Sequence, residues 1–478
     1  MKNTVNRFEF LSSNPTKNNI SIQKLMFQRH KNHQIKPKVR MNESLSKDII
    51  DSIREYLKEE KYKEIIRDSF GDSKKKDELR AIIHDYISKP DFSSRHGSKI
   101  SDYGIDDLTE IVVEKIAGLD VLQPFVETGT ITDIKCIGYD NIWVDDIYKG
   151  KYQTDVKFDS EESFEELCRR FEFASEKTWS HANPSIDAVF PQLRIKITGF
   201  DITDYKTSLQ IRIISKDLRY TFEEMISSGF AIEPMVELLK VTFASHCHLV
   251  AGSTGTGKTE LLRRFAESIP NDKEIMMIED HPETYLNEIY PNKSITMRRN
   301  RANANMGEEI GFEYHIRNAM RDNMDFILVQ ESRGKEFYHI LDAAMTDHIL
   351  DTTLHGKSVR GAFNRAITLC QREQQHPKSY YGELLADVFK FGIHIKRIKK
   401  KRVINELTEF VGYDTAKDRV IENPLIKYNT KTQKHEIVGK ISKELWDELL
   451  TFQDEELGID LTAIKALQEL SPYAAVSV

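Results

Sequence analysis

A glycine-rich segment, residues 252–259, contains the residue types with the most specific chemistry in this chain. Its sequence is Gly-Ser-Thr-Gly-Thr-Gly-Lys-Thr; an apolar run, 248–251, precedes it, and the pattern of 260–267 predicts a helix. Glycines allow backbone N–H groups to curve around phosphates, and a helix N-terminus adds the positive end of its dipole. Lys258 can then reach the β- and γ-phosphates, while the Thr259 hydroxyl can bind Mg²⁺. The segment therefore predicts a nucleotide site with ATP and Mg²⁺ as its ligands. The predicted nucleotide-binding residues here are Gly252, Ser253, Thr254, Gly255, Thr256, Gly257, Lys258, Thr259 and Glu260.

Three further apolar runs, 275–278, 326–329 and 349–354, each end in polar groups. Their alternation with helical patterns predicts an α/β domain with a mostly parallel sheet, whose strand ends line a ligand crevice. Carboxylates at such strand ends can hold the Mg²⁺ shell and orient an attacking water, as phosphoryl transfer requires. The candidate catalytic residues are Lys258, Glu279, Glu331, Arg333 and His355, and the candidate metal ligands are Thr259, Asp280 and Glu331.

Each candidate also has a purely structural interpretation. Glu279 and Asp280 could cap a following helix, and Glu331 with Arg333 could form a surface pair. A single histidine such as His355 is more often a structural residue than a catalytic one. Several polar strand ends in register with a phosphate-binding loop favour the functional interpretation.

Composition indicates a soluble chain of about three domains. Hydrophobic residues make up 39% of the 478 residues and charged residues 30%. The apolar runs are far below the roughly 18 residues that a membrane span needs, and no apolar segment follows the basic N-terminus. We therefore expect a cytoplasmic protein.

The four cysteines, Cys136, Cys168, Cys247 and Cys370, are too scattered to suggest a zinc site or a disulfide framework.

The net charge of −7 argues against direct nucleic-acid binding, although two local clusters are basic. Residues 1–40 carry nine Lys or Arg against the single acid Glu9, and 396–402 hold six positive charges. Either cluster could contact anionic lipid or nucleic acid. A disordered tail and a solvated turn are the simpler interpretations.

The change of hydrophobic period along the chain predicts its organisation. Helical patterns occur up to a predicted helix at 106–118, interrupted by a turn-rich stretch at 88–97. Short strands and one helix then indicate an α+β domain, which precedes the phosphate-binding loop. The predicted strands are 131–137, 141–145, 152–158, 185–190, 193–198 and 209–214, and the predicted helix is 161–177. The predicted domains are a basic, disordered tail (1–44), a helical region expected to pack as a small bundle (45–118), an α+β N-terminal domain (119–219), a linker (220–235) and a catalytic domain with a C-terminal helical tail (236–478).

The order of these motifs resembles the secretion ATPases of type II and type IV systems, which also drive pilus assembly and conjugation. The resemblance covers roughly residues 45–440. Besides the Walker A loop, 278–283 (Ile-Glu-Asp-His-Pro-Glu) is similar to the family's Asp box, 325–333 to its Walker B segment and 352–355 to its His box. Residues 117–125 and 132–138 are similar to the entry of its N-terminal domain, and the hairpin at 401–412 follows the family too.

The resemblance implies a RecA-like P-loop ATPase domain preceded by an α+β, PAS-like N-terminal domain. The segment 184–191 with Arg194, and then Arg212, matches the strands that supply arginines to the nucleotide. The family pattern further implies a homohexameric ring with the nucleotide between the two domains. Within this family the chain is most similar to the CpaF/TadA type, because its N-terminal region is long and helical and its sequence has no four-cysteine zinc element.

Three positions depart from the family pattern. Gln330 stands where the family usually has glycine before the Walker B glutamate, and Met324-Asp325 replaces the usual Pro-Asp. The Gly-His pair that usually precedes the His box is missing, with 346–348 (Thr-Asp-His) nearby. Because the catalytic groups are present, we expect an active but divergent enzyme.

The leading hypothesis is a hexameric motor ATPase that powers a membrane-embedded type IV secretion, conjugation or pilus assembly apparatus. Its expected partner is a platform protein of the cytoplasmic membrane, so the ATPase would sit at the cytoplasmic face, with a possible anionic-lipid contact through the N-terminal tail. A nucleic-acid translocase of the P-loop class and a hydrolysis-deficient ATP-binding scaffold ring are the alternatives.

Overall fold

The structure is a computed structural model, which describes residues 47–100, 103–204, 206–302, 309–346, 348–399, 401–451 and 464–465. The basic tail predicted at 1–44 lies outside these ranges, as do Asp347, Lys400 and most of the predicted C-terminal helical tail. No helix within the described ranges is both long and apolar enough to cross a membrane.

Five amphipathic helices begin the described part of the chain. In the third of them, Leu79, Ile83 and Ile87 recur at helical spacing and are fully buried. Asp72 caps this helix, because its carboxylate accepts hydrogen bonds from the first free backbone N–H groups. The helices are α1 (Lys47–Tyr56), α2 (Glu60–Asp68), α3 (Ser73–Ile87), α4 (Pro90–Ile100) and α5 (Ile105–Ala117).

The prediction that 88–97 is a turn-rich break is wrong, because α4 occupies most of this stretch. The helix starts at Pro90, whose fixed φ and missing N–H suit the first helical position. Phe92 is fully buried and packs against Tyr86, so burial of one aromatic ring favours a helix despite the turn-forming composition. The prediction for 106–118 agrees with α5 to within one residue at each end.

A six-stranded antiparallel sheet follows, in the order β3-β2-β1-β6-β5-β4. The strands predicted at 131–137, 185–190 and 193–198 are confirmed with their bounds. The strand predicted at 152–158 instead begins at Gly150, which pairs with Asp146, and ends at Gln153. The elements are α6 (Gln123–Glu127), β1 (Ile131–Ile137), β2 (Ile142–Asp146), β3 (Gly150–Gln153), α7 (Glu161–Ser175), β4 (Ser185–Phe190), β5 (Leu193–Thr198) and β6 (Ser208–Ile213), with 3-10 turns at Asp120–Leu122 and Phe200–Ile202.

The N-terminal helices and this sheet form one hydrophobic core. Phe70, after α2, has its ring centroid 5.1 Å from that of Phe171 on α7 and 5.2 Å from that of Phe190 on β4. The apolar stripes of the helical region predicted at 45–118 thus share one hydrophobic core with the sheet.

Residues 220–235, predicted as a linker, contain one short helix and the start of a second, and the C-terminal domain follows. Its nine-stranded sheet has the order β17-β16-β15-β14-β7-β13-β12-β8-β9, parallel from β14 to β9 and antiparallel from β14 to β17. The predicted α/β fold with a mostly parallel sheet is thus confirmed. The helices are α8 (Phe222–Ser227), α9 (Glu233–Phe243), α10 (Lys258–Phe265), α11 (Leu286–Ile289), α12 (Phe312–Ala319), α13 (Phe337–Ala344), α14 (Val359–Glu373), α15 (Lys378–Val388) and α16 (Lys443–Thr451), with a 3-10 turn at Ala266–Ser268. The strands are β7 (Cys247–Gly252), β8 (Glu274–Glu279), β9 (Ser294–Arg299), β10 (Arg301–Ala302), β11 (Glu309–Ile310), β12 (Phe326–Val329), β13 (Ile349–Leu354), β14 (Phe389–Ile398), β15 (Lys401–Asp414), β16 (Arg419–Asn429) and β17 (Lys434–Ile437).

Strand β7 carries the phosphate-binding loop from the centre of this sheet. All six of its residues are buried, and alternate side chains enter different cores: Leu249 and Ala251 pack on one face and Val250 on the other. A strand buried on both faces cannot shift its register without placing apolar groups in the wrong core. The packing of β7 therefore fixes the position at which the phosphate-binding loop begins.

A buried polar pair, His248 and Asp351, joins β7 to β13. Both side chains are fully buried, and Oδ1 of Asp351 accepts hydrogen bonds from Nδ1 and from the backbone N–H of His248, each at 2.9 Å. Thr242 contacts the other ring nitrogen at 2.9 Å, and Phe243 stacks on the ring. The carboxylate thus satisfies two donors that no water can reach.

We expect Asp351→Ala to lower the free energy of unfolding by about 3 kcal/mol, because it leaves two buried donors of His248 unpaired. Urea denaturation measures the difference. Asp342→Ala, at an exposed position of α13, is the matched control and should change stability by less than about 0.5 kcal/mol. Equal stabilities of the two variants would show that the pair contributes nothing.

Candidate functional site

The phosphate-binding loop connects β7 to α10 and has the backbone that its glycines permit. Gly255 has φ +71° and Gly257 has φ +104°, both in the left-handed region that favours glycine. At Gly252 a Cβ atom would lie 2.6 Å from Oγ1 of Thr256 and 2.7 Å from the Ile395 carbonyl oxygen, so a side chain does not fit there. The loop is therefore a tight turn ending at a helix N-terminus, as predicted.

Lys258, the first residue of α10, folds back onto this loop. Its Nζ donates hydrogen bonds to the carbonyl oxygens of Gly252 and Ser253, both at 3.2 Å. The side chain is buried, and this burial lowers the pKa of Lys258, while the nearby carboxylate of Glu331 acts in the opposite direction. A buried cation that is held by weak carbonyl acceptors fits a phosphate group as its stronger partner.

Residues 254–260 line a cleft, whereas Gly252 and Ser253 do not line it, and their carbonyl oxygens accept hydrogen bonds from Lys258. Thr259 faces the cleft, as its predicted metal contact requires. Glu260 is engaged elsewhere: it accepts from the backbone N–H of Arg219 at 2.7 Å and from Arg263 at 2.8 Å. These bonds tie α10 to the segment that leaves the N-terminal domain.

Glu331 lies at the centre of the charged groups opposite the loop. Its Oε2 accepts a hydrogen bond from Arg333 at 3.0 Å, and its Oε1 lies 2.7 Å from Nε2 of His355, without hydrogen-bond alignment. Burial acts to raise the pKa of Glu331, but Arg333, together with His355 and Lys258, brings it below its ordinary value. Burial and the charge of Lys258 lower the pKa of His355, so its ring is neutral near pH 7. The structure thus brings these four predicted residues together.

Asp280 and Glu279, adjacent at the end of β8, have different environments. Asp280 lines the cleft, 3.9 Å from Arg333, while Glu279 is only 2% exposed and does not line it. Oε2 of Glu279 accepts from the backbone N–H groups of Glu283 and Thr284 and from the Thr284 hydroxyl. Burial raises the pKa of Glu279 against these hydrogen bonds. A catalytic role for Glu279 does not fit this position, which indicates that it holds the turn after β8.

The opposite wall of the cleft is a face of the N-terminal sheet. Arg194 on β5 and Arg212 on β6 are direct cross-strand partners, and Asp133 on β1 is the next residue of the same row. Nε of Arg212 lies 3.3 Å from Oδ1 of Asp133. Arg194 lies 3.7 Å from Oε1 of Glu283, in the loop after β8. Both predicted arginines therefore face the phosphate-binding loop from a second domain.

The cleft between these walls has a volume of about 910 Å³, within the usual range for small-molecule sites. Among the described residues, no cluster of three His, Cys, Asp or Glu side chains could hold a metal on its own. Magnesium is usually held by one or two carboxylates together with substrate phosphates. Thr259, Asp280 and Glu331, which all line the cleft, supply this kind of donor set. The residues present thus fit ATP with Mg²⁺.

Sequence reasoning missed the arginines of the basic cluster 396–402. Arg397 forms two hydrogen bonds with the carboxylate of Asp145, at 2.9 and 3.0 Å, and so joins the two domains. Nε of Arg402 donates to the carbonyl oxygen of Gly255 at 2.9 Å, inside the phosphate-binding loop. Within the described part of this cluster, Arg397 and Arg402 thus make contacts inside the protein. The interpretations as a solvated turn or a lipid contact do not apply to these two residues. A run of six Lys and Arg residues in the sequence does not indicate which of their side chains contacts the interior of the protein.

Comparison with known proteins gives a match across both walls of the cleft. Residues 183–389, from just before β4 to the start of β14, match the family described as type II/IV secretion system protein. Over this segment, which is less than half of the chain, the protein is similar to the type II/IV secretion system family. The matched segment includes Arg194, Arg212, Lys258, Glu331 and His355. The resemblance drawn from the motifs is thereby confirmed, whereas the CpaF/TadA type and the PAS-like description stay predictions.

Individual relatives of this chain are distant. An uncharacterized protein of Bacillus anthracis is 27% identical over 424 residues, which are 85% of this chain and 93% of that protein. The type IV secretion system protein VirB11 of Brucella abortus is 27% identical over 227 residues, 47% of this chain and 61% of that protein. The X-ray structure of the ATPase DotB of Legionella pneumophila is 17% identical, covering 73% of this chain and 87% of that one, with a TM-score of 0.45.

We expect Arg402→Ala to weaken ATP binding about fivefold, equivalent to about 1 kcal/mol, because the Gly255 carbonyl loses a charged donor that fixes the phosphate-binding loop. Titration with a fluorescent ATP analogue measures the affinity. Arg419→Ala, at an exposed position of β16, removes the same charge outside the cleft and should bind as the unchanged protein does. Identical affinity in all three proteins would contradict the role of Arg402.

Proposed function

We propose that this protein is an ATPase that hydrolyses ATP to ADP and phosphate with Mg²⁺ as cofactor. One observation carries the proposal: Lys258, Glu331, Arg333 and His355 converge on the phosphate-binding loop. The contacts of Glu331 with Arg333 and His355 join the ends of two parallel strands to this loop. A scaffold that only bound nucleotide would have no need of an ionised carboxylate at this place.

The roles of the residues follow from their charges. Lys258 would exchange its two carbonyl contacts for the β- and γ-phosphates, and Thr259 with Asp280 would hold Mg²⁺, which neutralises phosphate charge. Glu331, kept ionised by its neighbours, would accept a hydrogen bond from the attacking water, because each carboxylate oxygen has two lone pairs and only one present contact. The neutral ring of His355 would sense the γ-phosphate, and Arg333 would balance charge as the terminal phosphate departs.

The N-terminal domain would complete the site. Arg194 and Arg212 project from adjacent strands and bring positive charge from the side opposite Lys258. Arg194 now pairs with Glu283 and Arg212 with Asp133, so each would have to shift toward phosphate as the cleft closes. Such closure would convert nucleotide occupancy into movement of one domain against the other.

We infer further that the protein works as a homohexamer on a membrane-embedded apparatus for type IV secretion, conjugation or pilus assembly. The match of residues 183–389 to the type II/IV secretion system family supports this proposal, and a platform protein at the cytoplasmic face of the membrane would be the partner. The contact of the N-terminal tail with anionic lipid stays a prediction from composition. The net charge of −7 over the whole sequence gives no support to nucleic-acid translocation.

Two substitutions should separate binding from chemistry. We expect Lys258→Ala to abolish hydrolysis and weaken ATP binding, because the phosphates lose the cation of the loop. Glu331→Gln should keep ATP affinity within about threefold while turnover falls by roughly 100-fold or more, since only the positioning of water and metal is lost. Phosphate release and fluorescent-nucleotide titration measure the two properties.

The exposed Glu444→Gln is the matched control for the glutamate and should leave both properties unchanged. Unchanged turnover in the Glu331→Gln protein would remove Glu331 from catalysis. An unchanged protein that binds ATP and never releases phosphate would instead support a scaffold ring that does not hydrolyse ATP.

Assembly should also control turnover. A site closed by a second domain depends on how that domain is held, and a ring would restrain it through neighbouring subunits. We therefore expect turnover per subunit to rise with protein concentration and to reach a plateau when rings are complete, which parallel mass measurements would follow. Constant turnover across a transition from monomer to ring would argue against this coupling.

A further inference from the structure

Gln330 replaces the glycine that the family usually has before the Walker B glutamate, and its side chain is almost completely buried, at 6% exposure. Its Oε1 accepts a hydrogen bond from the backbone N–H of Asp280 at 3.1 Å, and its Nε2 donates to Oε2 of Glu283 at 2.9 Å. Both partners belong to the loop after β8. One side chain thus spans from β12 to two points of the neighbouring loop.

An amide is the side chain suited to this pair of contacts. It accepts through its oxygen and donates through its nitrogen, whereas an ionised carboxylate only accepts, an ammonium only donates and glycine does neither. The backbone of Gln330 is itself fixed: its N–H donates to the Ile278 carbonyl at 2.9 Å, and its carbonyl accepts from the Thr353 hydroxyl at 2.6 Å. The amide therefore extends from a rigid base.

The contact continues into the second domain. Glu283 is bonded to Gln330 through Oε2, and its Oε1 lies 3.7 Å from Arg194 on the N-terminal sheet. The side chain of Glu283 is largely buried, at 15% exposure, so its charge is poorly screened by solvent. A continuous path therefore joins Gln330, next to the proposed catalytic glutamate, to an arginine proposed to face the nucleotide.

We infer that Gln330 is a positioning residue that couples the Walker B strand to Arg194 by holding Asp280 and Glu283. The inference rests on the proposed function, since it assigns Asp280 and Arg194 to nucleotide and metal binding. Gln330 itself touches no reacting atom. Its loss should therefore act mainly on ATP binding, because Glu331 keeps its own contacts with Arg333 and His355.

The first test replaces the amide by the residue usual in the family. We expect Gln330→Gly to raise KM for ATP roughly tenfold, with kcat changed less than about threefold, because a buried hydrogen bond to a charged group is lost. Gln374→Ala, at an exposed position outside the cleft, is the matched control and should change neither constant. A fall in kcat with unchanged KM would overturn the assignment.

The second test measures the hydrogen bond between the Asp280 amide and Gln330 directly, without ATP hydrolysis. Hydrogen exchange at the Asp280 amide should speed up in the Gln330→Gly protein, because its acceptor is gone. The Thr284 amide, whose acceptor is Glu279, serves as an internal reference and should change less. Equal exchange at Asp280 in both proteins would show that the amide does not hold the loop.

A third test separates coupling from general destabilisation. In an Arg194→Ala background, Gln330→Gly should raise KM by much less than tenfold, since the far end of the path is already absent. Full additivity of the two substitutions would contradict the coupling.

Failure of the inference is distinguishable from failure of the proposed function. If the unchanged protein hydrolyses ATP and the variants match it, Gln330 has no positioning role. If the unchanged protein does not hydrolyse ATP, the enzymatic proposal fails, and ATP affinity then replaces KM in the same comparison of variants.

Discussion

The register of the parallel strands is the constraint on which the rest of the site depends. Strands β7, β13, β12 and β8 are adjacent and run in the same direction, so their carboxyl ends meet at one edge of the sheet. The phosphate-binding loop, His355, Glu331 and Asp280 follow these ends. Because each strand is buried on both faces, a shift of one residue would turn apolar side chains out of their core. Hydrophobic packing remote from the charges thus fixes where the charges lie.

Buried charges at this edge are balanced against one another. The carboxylate of Glu331 stays ionised because Arg333, His355 and Lys258 surround it, and Lys258 tolerates burial partly because Glu331 is near. Removal of one member would leave another uncompensated. The arrangement therefore explains why the positive side chains of this site are stable in the folded protein when no phosphate is bound. The positive groups are held by protein acceptors that are weaker than phosphate.

The features that the sequence could predict are those encoded by short segments. The phosphate-binding loop, the strand ends at Glu331 and His355 and most strands of the N-terminal sheet depend on local pattern, and they are confirmed. Contacts between distant segments could not be foreseen. Arg397 meets Asp145 across 252 positions, and Arg402 meets Gly255 across 147. Glu279 was predicted to act in catalysis because it is a carboxylate at the end of an apolar strand, but its side chain is buried and bonded to the turn that follows the strand.

Two walls from separate domains give the cleft a property that one rigid domain would lack. Its arginines are paired with carboxylates of their own surroundings, Arg212 with Asp133 and Arg194 with Glu283, while Lys258 is bonded to loop carbonyls. A bound nucleotide would therefore have to replace existing partners of these cations on both walls. The free energy of binding would be the difference between the contacts with phosphate and the contacts that they replace. This difference, more than the gross attraction of phosphate for arginine, would determine how far the domains move. A protein that couples ATP to mechanical work needs this balance, since contacts that are too strong in either state would stop the cycle.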